Sequence, residues 1–145
     1  MYDTLLLPTD GGDGTSVATD HAVAVAESFG ATVHVLSVAD TRNRFESPTS
    51  GLAGDAWTAA ERERAREAAD AVLAELPDSL EARTAVREGV PATEIVAYVE
   101  EADVDVVTMA THARTGLNRY LIGSVTEKVV RTSPVPVLTV DSSRE

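Results

Sequence analysis

The part of the sequence that decides the fold is residues 106–140, VVTMATHARTGLNRYLIGSVTEKVVRTSPVPVLTV, which predict a strand, a polar loop, a helix and a second strand in direct succession. The first strand is predicted over residues 104–110, because a short apolar run is typical of a parallel strand buried on both faces. The helix follows Gly123 and Ser124, after which valines recur at helical spacing. Free backbone N–H groups at such a helix start, together with a hydroxyl, are able to hold an anion. The sequence therefore places its first candidate binding site there.

The rest of the chain alternates between strand and helix patterns. Residues 40–54 carry a proline and two glycines, and they predict a polar loop that is able to close over a ligand. Strands separated by helices imply one α/β domain over residues 1–145, with a parallel sheet, right-handed crossovers and helices on both faces. Strands are predicted at residues 4–8, 32–38, 79–87, 104–110 and 135–140, and helices at residues 15–29 and 56–76, from Pro91 and from Ser124.

The composition argues against several classes of protein. The chain has 24 acidic and 12 basic residues, a net charge of −12, and so lacks the basic stripe that neutralises nucleic acid phosphates. It has no cysteine, which excludes disulfides, thiolate catalysis and cysteine metal sites. It shows no membrane-spanning stretch, and its strand pattern begins at once, leaving no room for a signal peptide. We therefore expect a cytoplasmic protein that binds neither nucleic acid nor membrane.

Several motifs of enzymes and nucleotide-binding proteins are absent. The glycines at residues 11–14 fail the dinucleotide fingerprint, because Val17 stands where its third glycine belongs. The only lysine, Lys128, follows no glycine run, so there is no P-loop, and there is no nucleophile elbow. His21 and His34 lack partners at metal-ligand spacing and are expected to be ordinary packing or surface residues. No residue is therefore predicted to be catalytic or to bind metal directly.

Three segments carry a resemblance to a known family. They are TLLLPTDGG at residues 4–12, VHVLSVAD at residues 33–40 and SVTEKVVRTSPVPVLTV at residues 124–140. Together they resemble the universal stress protein family, over nearly the whole chain. The resemblance implies a five-stranded parallel sheet of order 3-2-1-4-5, in a Rossmann-like or adenine nucleotide alpha hydrolase-like fold. In that arrangement the strand order reverses between the first and fourth strands. The binding crevice is therefore expected between these two strands.

The nucleotide-binding branch of that family carries Gly, two residues, Gly, nine residues, and then Gly-Ser or Gly-Thr. This sequence keeps the spacing and ends in Gly123-Ser124, but Ala110 and Ala113 replace the first two glycines. A non-glycine residue costs about 1–2 kcal/mol where φ is positive. Where φ is negative, the methyl costs little unless it points at a phosphate oxygen. Because each 1.4 kcal/mol is about tenfold in affinity, the motif predicts weakened phosphate binding more readily than its loss.

The resemblance implies that ATP lies in the crevice, with Mg or Mn bound through its phosphates. Asp10 either accepts a hydrogen bond from adenine or ribose or fixes the glycine turn behind it. Ser124 either bonds a phosphate or caps its helix, or does both, and His112 either touches phosphate or faces solvent. The candidate cofactor-binding residues are Pro8, Thr9, Asp10, Val38, Met109, Ala110, His112, Ala113, Arg114, Thr115, Gly116, Gly123, Ser124, Val125 and Thr126.

Three functions remain open. The first is a stress-response or signalling protein that binds ATP as a regulatory ligand. The second is a homodimeric interaction protein whose pocket is empty or degenerate, which the alanines at positions 110 and 113 favour. The third is a slow ATPase or phosphotransfer enzyme. The retained Pro8, Asp10 and Ser124 favour the first.

The last strand predicts self-association. Residues 135–140, from Val135 to Val140, are apolar and lie at an edge of the sheet in the implied strand order. An exposed apolar edge is an aggregation hazard unless it is covered. Members of the family cover it by pairing two copies antiparallel across a twofold axis, which is an isologous interface. We therefore expect a homodimer through residues 135–140.

The charge balance predicts a halophilic protein, with an ordinary acidic protein as the alternative. We expect the melting temperature to rise as KCl is raised from about 0.1 M towards 2 M, because the Debye length falls from about 10 Å to roughly 3 Å at 1 M and screens the repulsion between surface carboxylates. Differential scanning calorimetry at several salt concentrations measures this. A flat or falling melting temperature would contradict the halophilic interpretation.

Overall fold

A computed structural model describes residues 1–12, 15–42, 50–111 and 123–141, with residues 50–56 described by their backbone alone. These residues form strands and helices in alternation. The strands are β1 (Thr4–Pro8), β2 (Thr32–Asp40), β3 (Ala82–Gly89), β4 (Val106–Ala110) and β5 (Val137–Val140). The helices are α1 (Thr15–Phe29), α2 (Ser50–Glu75), α3 (Pro91–Glu101) and α4 (Ser124–Thr132). In the described ranges, no helix has the length and apolar character needed to cross a membrane.

The strands form one parallel sheet of order β3-β2-β1-β4-β5, which confirms the predicted order. The central strand β1 pairs with β2 over its whole length, from Thr4 to Pro8. It pairs with β4 only at Leu5 and Leu6. Both β1 and β4 run on beyond their last shared pair, so their carboxyl ends form the two sides of the crevice that the reversed strand order predicts.

The core has two layers, one on each face of the sheet. Alternate side chains of β1 point to opposite faces, so Leu5 and Leu7 pack with α1 and α2 while Leu6 packs with α3 and α4. All three leucines are fully buried. The buried face of α1 consists largely of alanines, which allow the helix to approach the sheet closely. The sheet is thus covered on both sides, as parallel sheets require.

Several element boundaries differ from the sequence predictions. α2 begins at Ser50, so residues 50–54 are helical and the prediction of a loop over them is wrong. Pro48 precedes the helix in sequence and does not interrupt it, and tertiary packing overrides the cost of about 1 kcal/mol for each glycine. β3 begins at Ala82 because the preceding residues form a turn, in which the Leu80 N–H donates to the Pro77 carbonyl at 3.0 Å. β2 extends to Asp40, where it is still paired with β3.

The other helix boundaries follow the sequence signals. α1 ends at Phe29, and Gly30 has a φ of +68°, the left-handed conformation that glycine adopts without strain at a helix end. α3 begins at Pro91, which needs no hydrogen bond acceptor in the first turn. Two strands begin later than predicted, β4 at Val106 rather than residue 104 and β5 at Val137 rather than residue 135. β5 begins immediately after Pro136, because proline has no N–H to donate to the β4 ladder.

Thr108 in β4 generates the first prediction from the structure. Its Oγ1 is fully buried and lacks a hydrogen bond partner among the described residues. We expect Thr108→Val to raise the free energy of unfolding by about 1–2 kcal/mol, because it removes the cost of a buried unsatisfied hydroxyl and keeps the shape of the side chain. Urea unfolding followed by circular dichroism measures this.

Thr126→Val is the matched control, since the Thr126 hydroxyl is also buried but donates to the Ala110 carbonyl at 2.8 Å. That substitution should lower the free energy of unfolding by about 1 kcal/mol. Equal effects of the two substitutions would contradict the assignment of Thr108 as unsatisfied.

Candidate functional site

The turn after β1 forms one side of the crevice and is held by its own side chains. The Thr9 N–H donates to the Leu36 carbonyl of β2 at 2.9 Å. The Thr9 hydroxyl lies 3.1 Å from the Thr15 hydroxyl and accepts from the Gly11 N–H at 3.1 Å. Gly11 has a φ of +82°, which explains why glycine follows Asp10. These bonds fix the turn to β2 and to the first residue of α1.

Asp10 has the turn-fixing role that the sequence offered as one of its two alternatives. Its Oδ1 accepts from the Gly12 N–H at 2.8 Å. The residue is exposed. An ionised carboxylate has about four acceptor positions, so the bond from the Gly12 N–H is compatible with a second role in accepting a bond from a ligand.

The start of α4 forms the other side of the crevice and is anchored to the end of β4. The Thr126 hydroxyl donates to the Ala110 carbonyl at 2.8 Å, and the Gly123 N–H donates to the Thr111 carbonyl at 2.6 Å. Gly123 is the N-cap residue, and no side chain caps the helix. The sequence-based alternative that Ser124 caps α4 is therefore wrong, because Ser124 is the first helical residue and lies one position too late.

The uncapped start of α4 presents donors without acceptors. The backbone N–H groups of Ser124, Val125 and Thr126 have no acceptor in the part of the chain that the structure describes. Together with the helix dipole they favour an anion. Glu127 in the first turn opposes this, but its carboxylate lies 3.0 Å from the Arg131 guanidinium, which offsets part of its charge. The local field at the helix start is thus favourable to a phosphate group.

The predicted site residues differ in how they are placed. Pro8 and Val38 are half-buried at the carboxyl ends of β1 and β2. Met109 is 5% exposed and packs in the core beneath α3 and α4, so its side chain is part of the core. Ala110 lies in β4 and its φ is not positive, so it carries none of the strain considered for a replaced motif glycine. His112, Ala113, Arg114, Thr115 and Gly116 lie outside the described residues.

Two residues support the site but were not predicted to belong to it. Thr15 is not among the candidate site residues, yet its hydroxyl lies within hydrogen-bonding distance of the Thr9 hydroxyl. Thr111 contributes the carbonyl that fixes Gly123. The sequence signal for both is weak, because a threonine beside a turn has many possible hydrogen bond partners until the strand order is known.

Two further clefts lie outside the crevice. One of about 560 Å³ is formed by the β1 turn, the start of α1 and the Ala68–Val72 side of α2. The other, of about 440 Å³, runs around β3 and is lined by arginines and glutamates. No group of three or more His, Asp or Glu side chains among the described residues is arranged to hold a metal ion. Neither cleft therefore adds a recognisable catalytic or metal-binding arrangement.

Comparison with known proteins agrees with this architecture. The Universal stress protein family model matches residues 1–141. The universal stress protein MJ0531 of Methanocaldococcus jannaschii is 33% identical over 150 residues, covering 100% of this chain and 85% of the relative. The solved structure of protein MJ0577 of the same organism is 30% identical, with a TM-score of 0.84 and coverage of 97% of this chain and 96% of that one.

A more distant neighbour was solved with a nucleotide. It is a universal stress protein from Archaeoglobus fulgidus in complex with dAMP, 18% identical, with a TM-score of 0.65 and coverage of 95% and 97% of the two chains. At that identity the likeness concerns the fold alone. The family match over residues 1–141 and the relative at 33% identity show that the chain belongs to the universal stress protein family.

Proposed function

We propose that this protein binds ATP, with Mg or Mn on the phosphates, as a regulatory ligand in the crevice between β1 and β4. The observation that carries the proposal is the uncapped start of α4, where three backbone N–H groups have no acceptor among the described residues. The helix is anchored to β4 by Thr126 and Gly123, so these donors are held in place before a ligand arrives. Preorganised donors lower the ordering cost of binding.

The opposite end of the crevice offers a place for the nucleoside. The Asp10 carboxylate is exposed on a turn fixed by three hydrogen bonds, and the half-buried Val38 side chain offers an apolar contact for a base. In the proposed arrangement the base lies near Val38, Asp10 accepts a bond from adenine or ribose, and the phosphates lie at Ser124. The dAMP complex of the Archaeoglobus fulgidus relative supports an adenine nucleotide as the ligand of this fold.

We propose no catalytic residue. The proposed activity is regulatory, in that the protein changes its interactions with other molecules according to whether ATP is bound. We also propose that residues 1–145 form a single domain and that the protein acts in the cytoplasm. The second candidate function is that of a homodimeric interaction protein with an empty pocket, which the alanines of the loop motif favour. The negative φ of Ala110 removes one physical objection to ATP binding at that position.

The second prediction from the structure tests ligand binding at α4. Calorimetry with ATP and MgCl2 in high salt should detect binding, and Ser124→Ala should weaken it by about 1–3 kcal/mol, the range for loss of a charge-assisted hydrogen bond. Ser133→Ala is the matched control, since Ser133 lies at the other end of α4 and its hydroxyl bonds only within the following turn. Ala110→Gly and Ala113→Gly should leave the affinity unchanged or raise it. Undetectable binding at millimolar ATP would contradict the proposal and favour the empty pocket.

We further propose that two copies pair through residues 135–140. β5 is an edge strand of the sheet and carries Leu138, which is 38% exposed. Val130, which is 47% exposed, belongs to α4, the helix that contacts β5. Pairing of two β5 strands would cover these side chains and the unpaired backbone of the edge. With a twofold axis at this edge, both copies contribute the same surface to the interface, so the assembly is a closed dimer.

The third prediction from the structure tests this edge. Val137→Lys or Leu138→Asp should shift the protein towards monomer or aggregate, because a charge is placed in the apolar interface. Light scattering at tens of micromolar protein in high salt measures the mass. Val90→Asp is the matched control, since Val90 is also 38% exposed but precedes α3, away from β5. A native monomer, or a dimer unaffected by both substitutions, would contradict the assignment.

A further inference from the structure

A buried polar pair lies between β2 and α3, away from the crevice. His34 of β2 is 8% exposed and Tyr98 of α3 is 6% exposed. The His34 Nδ1 lies 2.8 Å from the Tyr98 hydroxyl, at hydrogen-bonding distance, and the two rings meet edge to face with centroids 5.8 Å apart. The pair is therefore a polar connection between the sheet and α3 within an otherwise apolar layer.

Cations lie close to this pair. Arg83 of β3 is the direct strand neighbour of His34, and the Arg87 guanidinium lies 5.1 Å from the centre of the Tyr98 ring. Arg87 is held there by Glu101 of α3 at 2.8 Å. On the other side of His34, its β1 neighbour is Leu6, which is apolar.

The surroundings favour the neutral form of the histidine. Burial and then the Arg83 charge lower the pKa of His34, while the charge of Glu81 opposes them. Burial also raises the pKa of Tyr98, so its hydroxyl keeps its proton at neutral pH. This packing therefore favours the neutral imidazole of His34 and the protonated phenol of Tyr98.

Protonation of His34 changes the hydrogen bonding as well as the charge. In the neutral ring one nitrogen accepts and the other donates, whereas the imidazolium donates from both. In the tautomer whose neutral Nδ1 accepts from the Tyr98 O–H, protonation would make Nδ1 a donor to the Tyr98 oxygen, and the Tyr98 O–H would then need a different acceptor in a buried position. The added charge would also face Arg83 across the strand pair. The connection between β2 and α3 is therefore weakened in the charged form.

α3 in turn supports α4. Tyr98 belongs to the buried cluster in which Ile95 and Val99 of α3 pack with Val129 of α4. Val125, in the first turn of α4, packs against the same cluster. A displacement of α3 would therefore change the packing of Val125 at the start of α4, where we place the phosphates.

We propose that the His34–Tyr98 pair is an acid-sensitive latch that holds α3 on the sheet, and that its release at mildly acidic pH lowers ligand affinity at the start of α4. The second part rests on the proposed function. The latch itself rests on the buried pair and its neighbouring cations.

The sign of the pH effect follows from the direction of the shift. Because the pKa of His34 is lowered in the folded protein, the unfolded chain takes up the proton first as pH falls below about 6.5. The stabilisation by neutral His34 is therefore fully present above about pH 6.5 and is lost as pH falls towards the folded pKa. Over that interval the unfolding equilibrium constant should rise by up to about tenfold per pH unit from this one group.

An NMR titration of the wild-type protein tests the latch directly. We expect the His34 ring to titrate below the ordinary histidine value of about 6.5. Hydrogen exchange across residues 91–101, corrected for intrinsic rates, should accelerate between pH 7.5 and 5.5 more than exchange across α1. An unshifted titration of the His34 ring, or unchanged protection of α3, would overturn the proposal.

Variants separate His34 from the other titrating groups. In urea unfolding at pH 7.5 and 5.5, His34→Gln should lose less stability on acidification than the wild type. Tyr98→Phe keeps the histidine but removes its partner, so α3 should already exchange faster at pH 7.5. Equal pH dependence in His34→Gln and the wild type would overturn the latch. If His34→Gln does not fold, the NMR titration and the hydrogen exchange of the wild-type protein decide whether the pair acts as a latch.

The link to the ligand is tested by ATP titration with MgCl2 at both pH values. The wild-type affinity should fall more on acidification than that of His34→Gln, with the titration of ATP itself cancelling in the comparison. Equal changes would overturn the coupling. Absence of binding at either pH would refute the proposed function and with it the coupling, while the exchange and unfolding measurements still decide on the latch.

Discussion

The parallel pairing of β1 with two different neighbours is the constraint on which the rest of the structure depends. β1 is bound to β2 along its whole length and to β4 at only two positions. Because side chains alternate along a strand, the leucines of β1 enter both layers of the core. The short pairing with β4 ends before the turn at Asp10 begins. The same strand therefore supports the fold and opens the crevice, so a substitution at Leu5 to Leu7 would affect both at once.

The order of elements was predictable because each has a local signal. Buried strands are short apolar runs, Gly30 ends α1, and Pro91 begins α3. Strand order came from resemblance to a family, since nothing local tells which strands are neighbours. The start of α2 was missed because a proline and glycines normally indicate a loop, whereas here the helix begins just after the proline. Boundaries of this kind depend on tertiary packing that the sequence pattern alone does not contain.

The elements around the candidate site were predictable from the sequence, whereas the hydrogen bonds that its residues make were not. The sequence offered two roles for Ser124, and only the structure shows that Gly123 occupies the N-cap, which leaves the serine hydroxyl uninvolved in capping. Thr126 was named as a ligand residue, but its hydroxyl is committed to the Ala110 carbonyl. In the proposed site its contribution would therefore be to hold α4 in position. Roles of this kind depend on distances between segments that are remote in sequence, which neither spacing nor composition reveals.

The acidic surface and the proposed anionic ligand are compatible for a physical reason. A net charge of −12 repels a nucleotide at long range, and this repulsion is screened within roughly 3 Å at 1 M salt. The hydrogen bonds at the start of α4 act at contact distance, and partly buried interactions are screened much less than those between exposed charges. Salt therefore removes more of the repulsion than of the attraction. If salt stabilises the fold as the charge balance predicts, the same ionic strength would also favour the approach of ATP to the proposed site.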